Sequence, residues 1–99
     1  MFKDATLIHE ATVEFVTYLR SLDGDDHDLG IRAADNFKKT LTLLEWNFEK
    51  GILQLKYDIT SKGVLDWNWT NGRRREIERH CDTIFRLLHP GYPEQELPN

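Results

Sequence analysis

Apolar residues along this chain recur with two different periods. From Ala5 to Leu22, residues Ile8, Ala11, Phe15, Leu19 and Leu22 keep the three-to-four-residue spacing of an amphipathic helix. Asp4 stands where an N-cap belongs, and Arg20 suits the C-terminal end of the helix dipole. From Leu41 to Thr70 the period shortens to two. Leu53-Gln-Leu-Lys-Tyr-Asp-Ile-Thr60 alternates apolar and polar without a break, and Leu65-Asp-Trp-Asn-Trp-Thr70 does the same. Leu44, Trp46 and Phe48 alternate with Glu45 and Asn47 in the same way. Glu49-Lys50-Gly51 and Ser61-Lys62-Gly63 divide the runs, each with glycine where a short hairpin takes positive φ. Asn71-Gly72 breaks the chain again, and Arg73 to His89 predicts a second long helix with Ile77, Cys81, Ile84 and Leu88 as its stripe and Phe85 beside it.

The middle section predicts a three-stranded antiparallel meander. A loop at Ser61–Gly63 sets Ile59, Tyr57 and Leu55 opposite Leu65, Trp67 and Trp69. A loop at Glu49–Ile52 sets Phe48, Trp46 and Leu44 opposite Leu53, Leu55 and Tyr57. Both hairpins then present their apolar residues on one face, which a one-residue slip would scatter. The expected class is α+β: an N-terminal helix, the meander and a C-terminal helix, with both helices on one face of the sheet. Gln54, Lys56, Asp58, Asp66 and Asn68 fall on the opposite, wet face. A helical reading competes, because Phe37, Leu41, Leu44, Phe48, Ile52, Leu55 and Ile59 also recur every three to four residues. Ile31, Ala34 and Phe37 add one or two helical turns within Gly30 to Thr40.

Ninety-nine residues suit one domain with one modest core, here assigned to residues 1–89. Pro90, Pro93 and Pro98 mark 90–99 as an irregular C-terminal tail. The formal net charge of -4 argues against a general nucleic-acid binder. A single cysteine excludes an internal disulfide, and Cys81 lies in an apolar stripe, where it reads as a small hydrophobe. Without a charged-then-apolar leader or a membrane-length apolar run, the expected setting is the cytoplasm and no membrane is expected as partner.

Two charged clusters are the candidate binding residues. Arg73, Arg74 and Arg75 open the second long helix, where cations oppose the dipole but free amides favour an anion. They can take a phosphate or a partner's carboxylates, or pair with Glu76, Glu78 or the acidic segment. Asp23, Asp25, Asp26 and Asp28 form that segment, expected as a polar surface loop. Clustered carboxylates also offer a cation site or a partner for basic surface, although the match to a calcium loop is weak: His27 stands at position five, Asp28 replaces the glycine at position six, and Ala34 replaces the glutamate at position twelve. No metal-ligand cluster, phosphate loop or nucleophile motif is present, so no catalytic residue, metal or cofactor is assigned.

Gly72-Arg-Arg-Arg75 resembles the basic opening of the second helix in double-stranded-RNA-binding domains. The acidic outer face of the first helix and the absence of histidine from the Glu49–Gly51 loop depart from that family. Arg75-x-x-x-x-His80 is similar to the Arg–His spacing of HEPN-class ribonucleases, and the resemblance implies an all-helical, usually dimeric frame with Arg75 and His80 at the active site. Size, charge and expected architecture place the chain with small acidic interaction proteins, such as immunity proteins and phage-encoded anti-CRISPR inhibitors. The function expected is therefore non-enzymatic binding of a protein partner. RNA binding through Arg73–Arg75 is the alternative, followed by the ribonuclease reading.

Overall fold

The first helix, α1 (Ala5–Arg20), forms where the first apolar stripe predicts it. Its buried positions are Ile8, Thr12, Phe15, Val16 and Leu19, one face taken at three- and four-residue steps. Thr12 is the polar member, and its hydroxyl donates to the Ile8 carbonyl oxygen at 2.8 Å within the same helix. The computed structural model describes residues 5–60 and 62–89. The Asp4 cap and the 90–99 tail lie outside the described residues.

Three further helices follow: α2 (His27–Trp46), α3 (Phe48–Asp58) and α4 (Asn71–Leu88), with single 3-10 turns at Gly24–Asp26 and Val64–Asp66. No strand occurs among the described residues. The three-stranded meander expected over Leu41–Thr70 is overturned, and with it the α+β class; the protein is a small all-α fold. The one or two turns expected within Gly30–Thr40 belong to the 20-residue α2.

The longer period wins because it gathers more side chains into one core. Leu44, Leu55 and Ile59 satisfy both periods, so they do not decide between them. Phe37 and Ile52 do: both are buried, in one cluster with Phe15, Ile77 and Ile84 from α1 and α4. The turn signals also change meaning. Asn47, a wet strand position in the period-2 reading, is the N-cap of α3, where its side-chain oxygen accepts from the Lys50 amide at 3.2 Å. Gly51 is not a hairpin glycine but a contact point, since a Cβ there would sit 2.7 Å from the Leu44 Cα. An α-helix of eleven residues is marginal in isolation, so this close seat on α2 is what holds α3.

The Trp67–Trp69 segment is no strand either. The Trp69 indole donates to the Val64 carbonyl oxygen at 2.8 Å. The Trp67 ring stacks on Trp69 with centroids 6.1 Å apart, so the pair closes the connection from α3 to α4. Cys81 is buried in the α4 stripe, as its spacing implies.

α2 lies between α1 and α3, while α4 packs on α1 and touches α3. The result is a slab of 40 × 38 × 20 Å, about two helix diameters thick. In so thin a body every helix keeps a long wet face, and the accessible surfaces are those faces and the grooves between neighbours. No helix among the described residues is long and apolar enough to cross a membrane.

Candidate functional site

The two charged clusters of the sequence meet at the start of α4. Gly24, at φ +61°, turns the chain out of α1 and into the 3-10 turn that carries Asp26. Asp26 is only 3 % exposed. Its carboxylate accepts from the Thr70 amide at 3.1 Å, the Thr70 hydroxyl at 2.7 Å and the Arg73 Nε at 3.1 Å. A second guanidinium nitrogen of Arg73 reaches Asp23 at 3.0 Å, and a third lies 3.6 Å from Glu76. An anion at a helix N-terminus is favoured by the dipole and the free amides there. Here the chain supplies that anion itself. Burial pushes the Asp26 carboxyl up, but the Thr70 hydrogen bonds and the Arg73 guanidinium outweigh it and hold the group below the usual carboxylate range.

The remaining members of the clusters do not converge. Arg74 pairs with Glu78 at 3.3 Å along the helix. Arg75 is exposed, with no ion pair among the described residues. Asp25 and Asp28 are exposed, and Asp28 sits in the first turn of α2. No group of three or more histidine, cysteine or acidic side chains that could hold a metal ion occurs among the described residues.

A second polar cluster lies where α1 meets α4. His80 stacks on Phe15 with ring centroids 5.0 Å apart and meets Tyr18 at 4.7 Å with the rings tilted by 33°. The Tyr18 hydroxyl donates to the Glu76 carboxylate. Burial lowers the His80 imidazole below its ordinary value and favours the neutral ring. Burial first, and the Glu76 carboxylate second, raise the Tyr18 phenol. With Arg79 and Thr83 these residues line an open depression of about 360 Å³. The frame is all-helical, as the Arg–His ribonucleases require, but five residues along a helix turn Arg75 about 140° away from His80. The positions that share the His80 face are Arg73 and Glu76, and both are engaged in the pairs just described.

The surface that the sequence reading missed lies on α3. Trp46, Leu53 and Tyr57, assigned there to the covered face of a sheet, are 84 %, 67 % and 52 % exposed. Leu53 and Tyr57 are one turn apart on the side of α3 away from Ile52 and Leu55. The helical alternative carried the signal, for once α3 is a helix these two apolar residues have no core to enter. Beside them runs a groove between α2 and α3 of about 420 Å³. Asp58, expected on a wet face, lines it and is 9 % exposed. It accepts from the Thr40 hydroxyl at 2.6 Å and the Gln54 amide at 2.8 Å. Burial raises its pKa above the usual carboxylate range against the pull of those two bonds.

Compared with family models, curated proteins and solved structures, the chain matches none of them.

Proposed function

We propose that this chain is a non-enzymatic interaction protein of the inhibitor or immunity type, acting in the cytoplasm, and that it docks a protein partner on the outer face of α3 and the Trp46 elbow. The observation that carries the reading is the exposure of Trp46, Leu53 and Tyr57 along one short helix and its entry. Each side chain leaves apolar area in water that contributes roughly 25 cal/mol per Å² when covered. Tryptophan and tyrosine are also the residue types that dominate the binding energy of protein interfaces. The three flank a chain of formal charge -4, which favours a partner with a basic surface. The internal pairing of Arg73 and Arg74 supports a protein partner over a nucleic acid, because it leaves Arg75 and Arg79 as the cations of α4 without a salt bridge among the described residues.

The test is capture from lysate of the source cell with tagged wild-type chain and with Trp46→Ala/Leu53→Ala/Tyr57→Ala, followed by mass spectrometry. A protein retained in stoichiometric amount by the wild type, and at least about tenfold less by the variant, supports the reading. Recovery of nucleic acid alone, or equal recovery by a variant with an unchanged helical spectrum, refutes it.

A further inference from the structure

The groove beside that surface contains a carboxylate with no counter-charge among the described residues. Asp58 is nine-tenths buried, and its only hydrogen-bond donors among the described residues are neutral, the Thr40 hydroxyl and the Gln54 amide. Lys39 lines the 420 Å³ groove, and Lys62 lines a smaller hollow of 130 Å³ beyond Asp58, yet neither makes an ion pair with it. Buried carboxylates ordinarily carry a cationic partner, because the charged form loses its hydration. This one forms part of the wall of both hollows and is reachable from each.

We propose that the α2–α3 groove is a recognition site for one arginine side chain presented by the protein partner, with Asp58 as its counter-charge. The proposal rests on the protein-binding reading above and names the group that the partner must bring.

The hydrogen-bond inventory favours a guanidinium. An ionised carboxylate has about four lone-pair sites, two on each oxygen. Thr40 takes one on Oδ2 and Gln54 takes one on Oδ1, which leaves one on each oxygen. A guanidinium offers two parallel N–H donors at that spacing, whereas an ammonium is a single point. The walls suit it as well. Tyr57 borders both hollows and Trp67 borders the smaller one, so a flat cation bound at Asp58 has aromatic side chains in its wall. Leu43 lines the outer groove, where the aliphatic stem of the side chain would lie. The lysines that line the two hollows work against a bare hydrated cation, which gains nothing from rings or apolar wall to offset their repulsion.

The probe is N-acetyl-arginine amide, titrated into the 99-residue chain and followed by the NMR shifts of the Gln54 side-chain amide and the Trp67 indole. N-acetyl-citrulline amide, which keeps the shape and loses the charge, is the control. The expected result is saturable binding on the order of a millimolar for the arginine probe, and at least about tenfold weaker binding for citrulline and for Asp58→Asn. Asn is isosteric and keeps an acceptor for Thr40, and its unchanged amide spectrum elsewhere certifies the fold. No shift with the arginine probe, equal binding of citrulline, or unchanged binding by folded Asp58→Asn each overturns the proposal. Failure here is distinct from failure of the docking surface: a captured partner lost in the Trp46/Leu53/Tyr57 variant but retained by Asp58→Asn refutes the arginine site alone.

Discussion

Two carboxylates on this chain are buried for opposite reasons. Asp26 is buried against a cation and a helix start, and its pKa is lowered. Asp58 is buried against neutral donors, and its pKa is raised. The unfolded chain therefore holds its proton on Asp26 more tightly than the folded one, so stability from Asp26 is present above the ordinary value of about 4 and is lost as pH falls through the lower folded value. For Asp58 the sign reverses: its contribution is complete below about 4 and is lost as pH rises through the higher folded value. Melting temperatures measured across the acid range should show Asp26→Asn flattening the acid loss and Asp58→Asn removing the opposing slope; curves parallel to wild type would sink both assignments. Asp26→Ala removes the buried acceptor that Thr70 and the Arg73 Nε share and should cost about 1–3 kcal/mol at neutral pH by denaturant titration. Within the arginine triplet, Arg73→Gln should lower stability and Arg75→Gln should leave it unchanged, since only Arg73 is tied to the 3-10 turn. Equal effects at the two positions would mean that the helix start does not depend on that pair.

At the scale of elements, glycine and asparagine carry the sharpest expectations. In an exposed helix interior Gly→Ala stabilises by up to about 1 kcal/mol. Gly72, in the first turn of α4 with nothing within 4 Å of a built Cβ, should follow that rule. Gly51→Ala should run the other way and cost about 1–3 kcal/mol, because its Cβ meets the Leu44 backbone and side chain at 2.7 Å and α3 must back away from α2. Asn47→Ala should cost about 0.5–2 kcal/mol by uncapping α3. If both glycine variants gain stability, α2 and α3 are not seated as described. These residues also show why the ends of the fold were legible in the sequence and the middle was not. α1 and α4 carry one apolar period each, and both helices end within two residues of the bounds that period predicts. Between them Leu55 and Ile59 fit two periods at once, and Gly51 fits either a turn or a tight helix contact, which only the position of Leu44 resolves. The site was legible in part for the same reason. Both charged clusters were visible, but which of four aspartates would be buried depends on Thr70 and Arg73, 44 and 47 residues further on. The exposure of Leu53 and Tyr57 follows only once α3 is known to be a helix.

For the molecule as a whole, a slab 20 Å thick with a single hydrophobic cluster has no part large enough to unfold alone. Heat and denaturant should each give one cooperative transition, with far-UV circular dichroism dominated by helix and coincident with Trp fluorescence. A separate early fluorescence step would show the Trp67–Trp69 connection loosening before the helices. One buried atom gives that cooperativity a chemical readout. The Cys81 thiol, held in the α4 stripe, is pushed up to about 12 by burial, with the Glu78 charge adding to the shift. Only the thiolate attacks an alkylating reagent, so in the native chain this sulfur is silent and its modification counts openings of the core. With one cysteine in the sequence there is one site to count. When reclosing is faster than labelling, the labelling rate follows the equilibrium population of the open form. The wild-type chain thus carries its own stability clock, readable by mass at micromolar scale or in crude extract, and Asp26→Ala, Gly51→Ala and Asn47→Ala should each make it run faster.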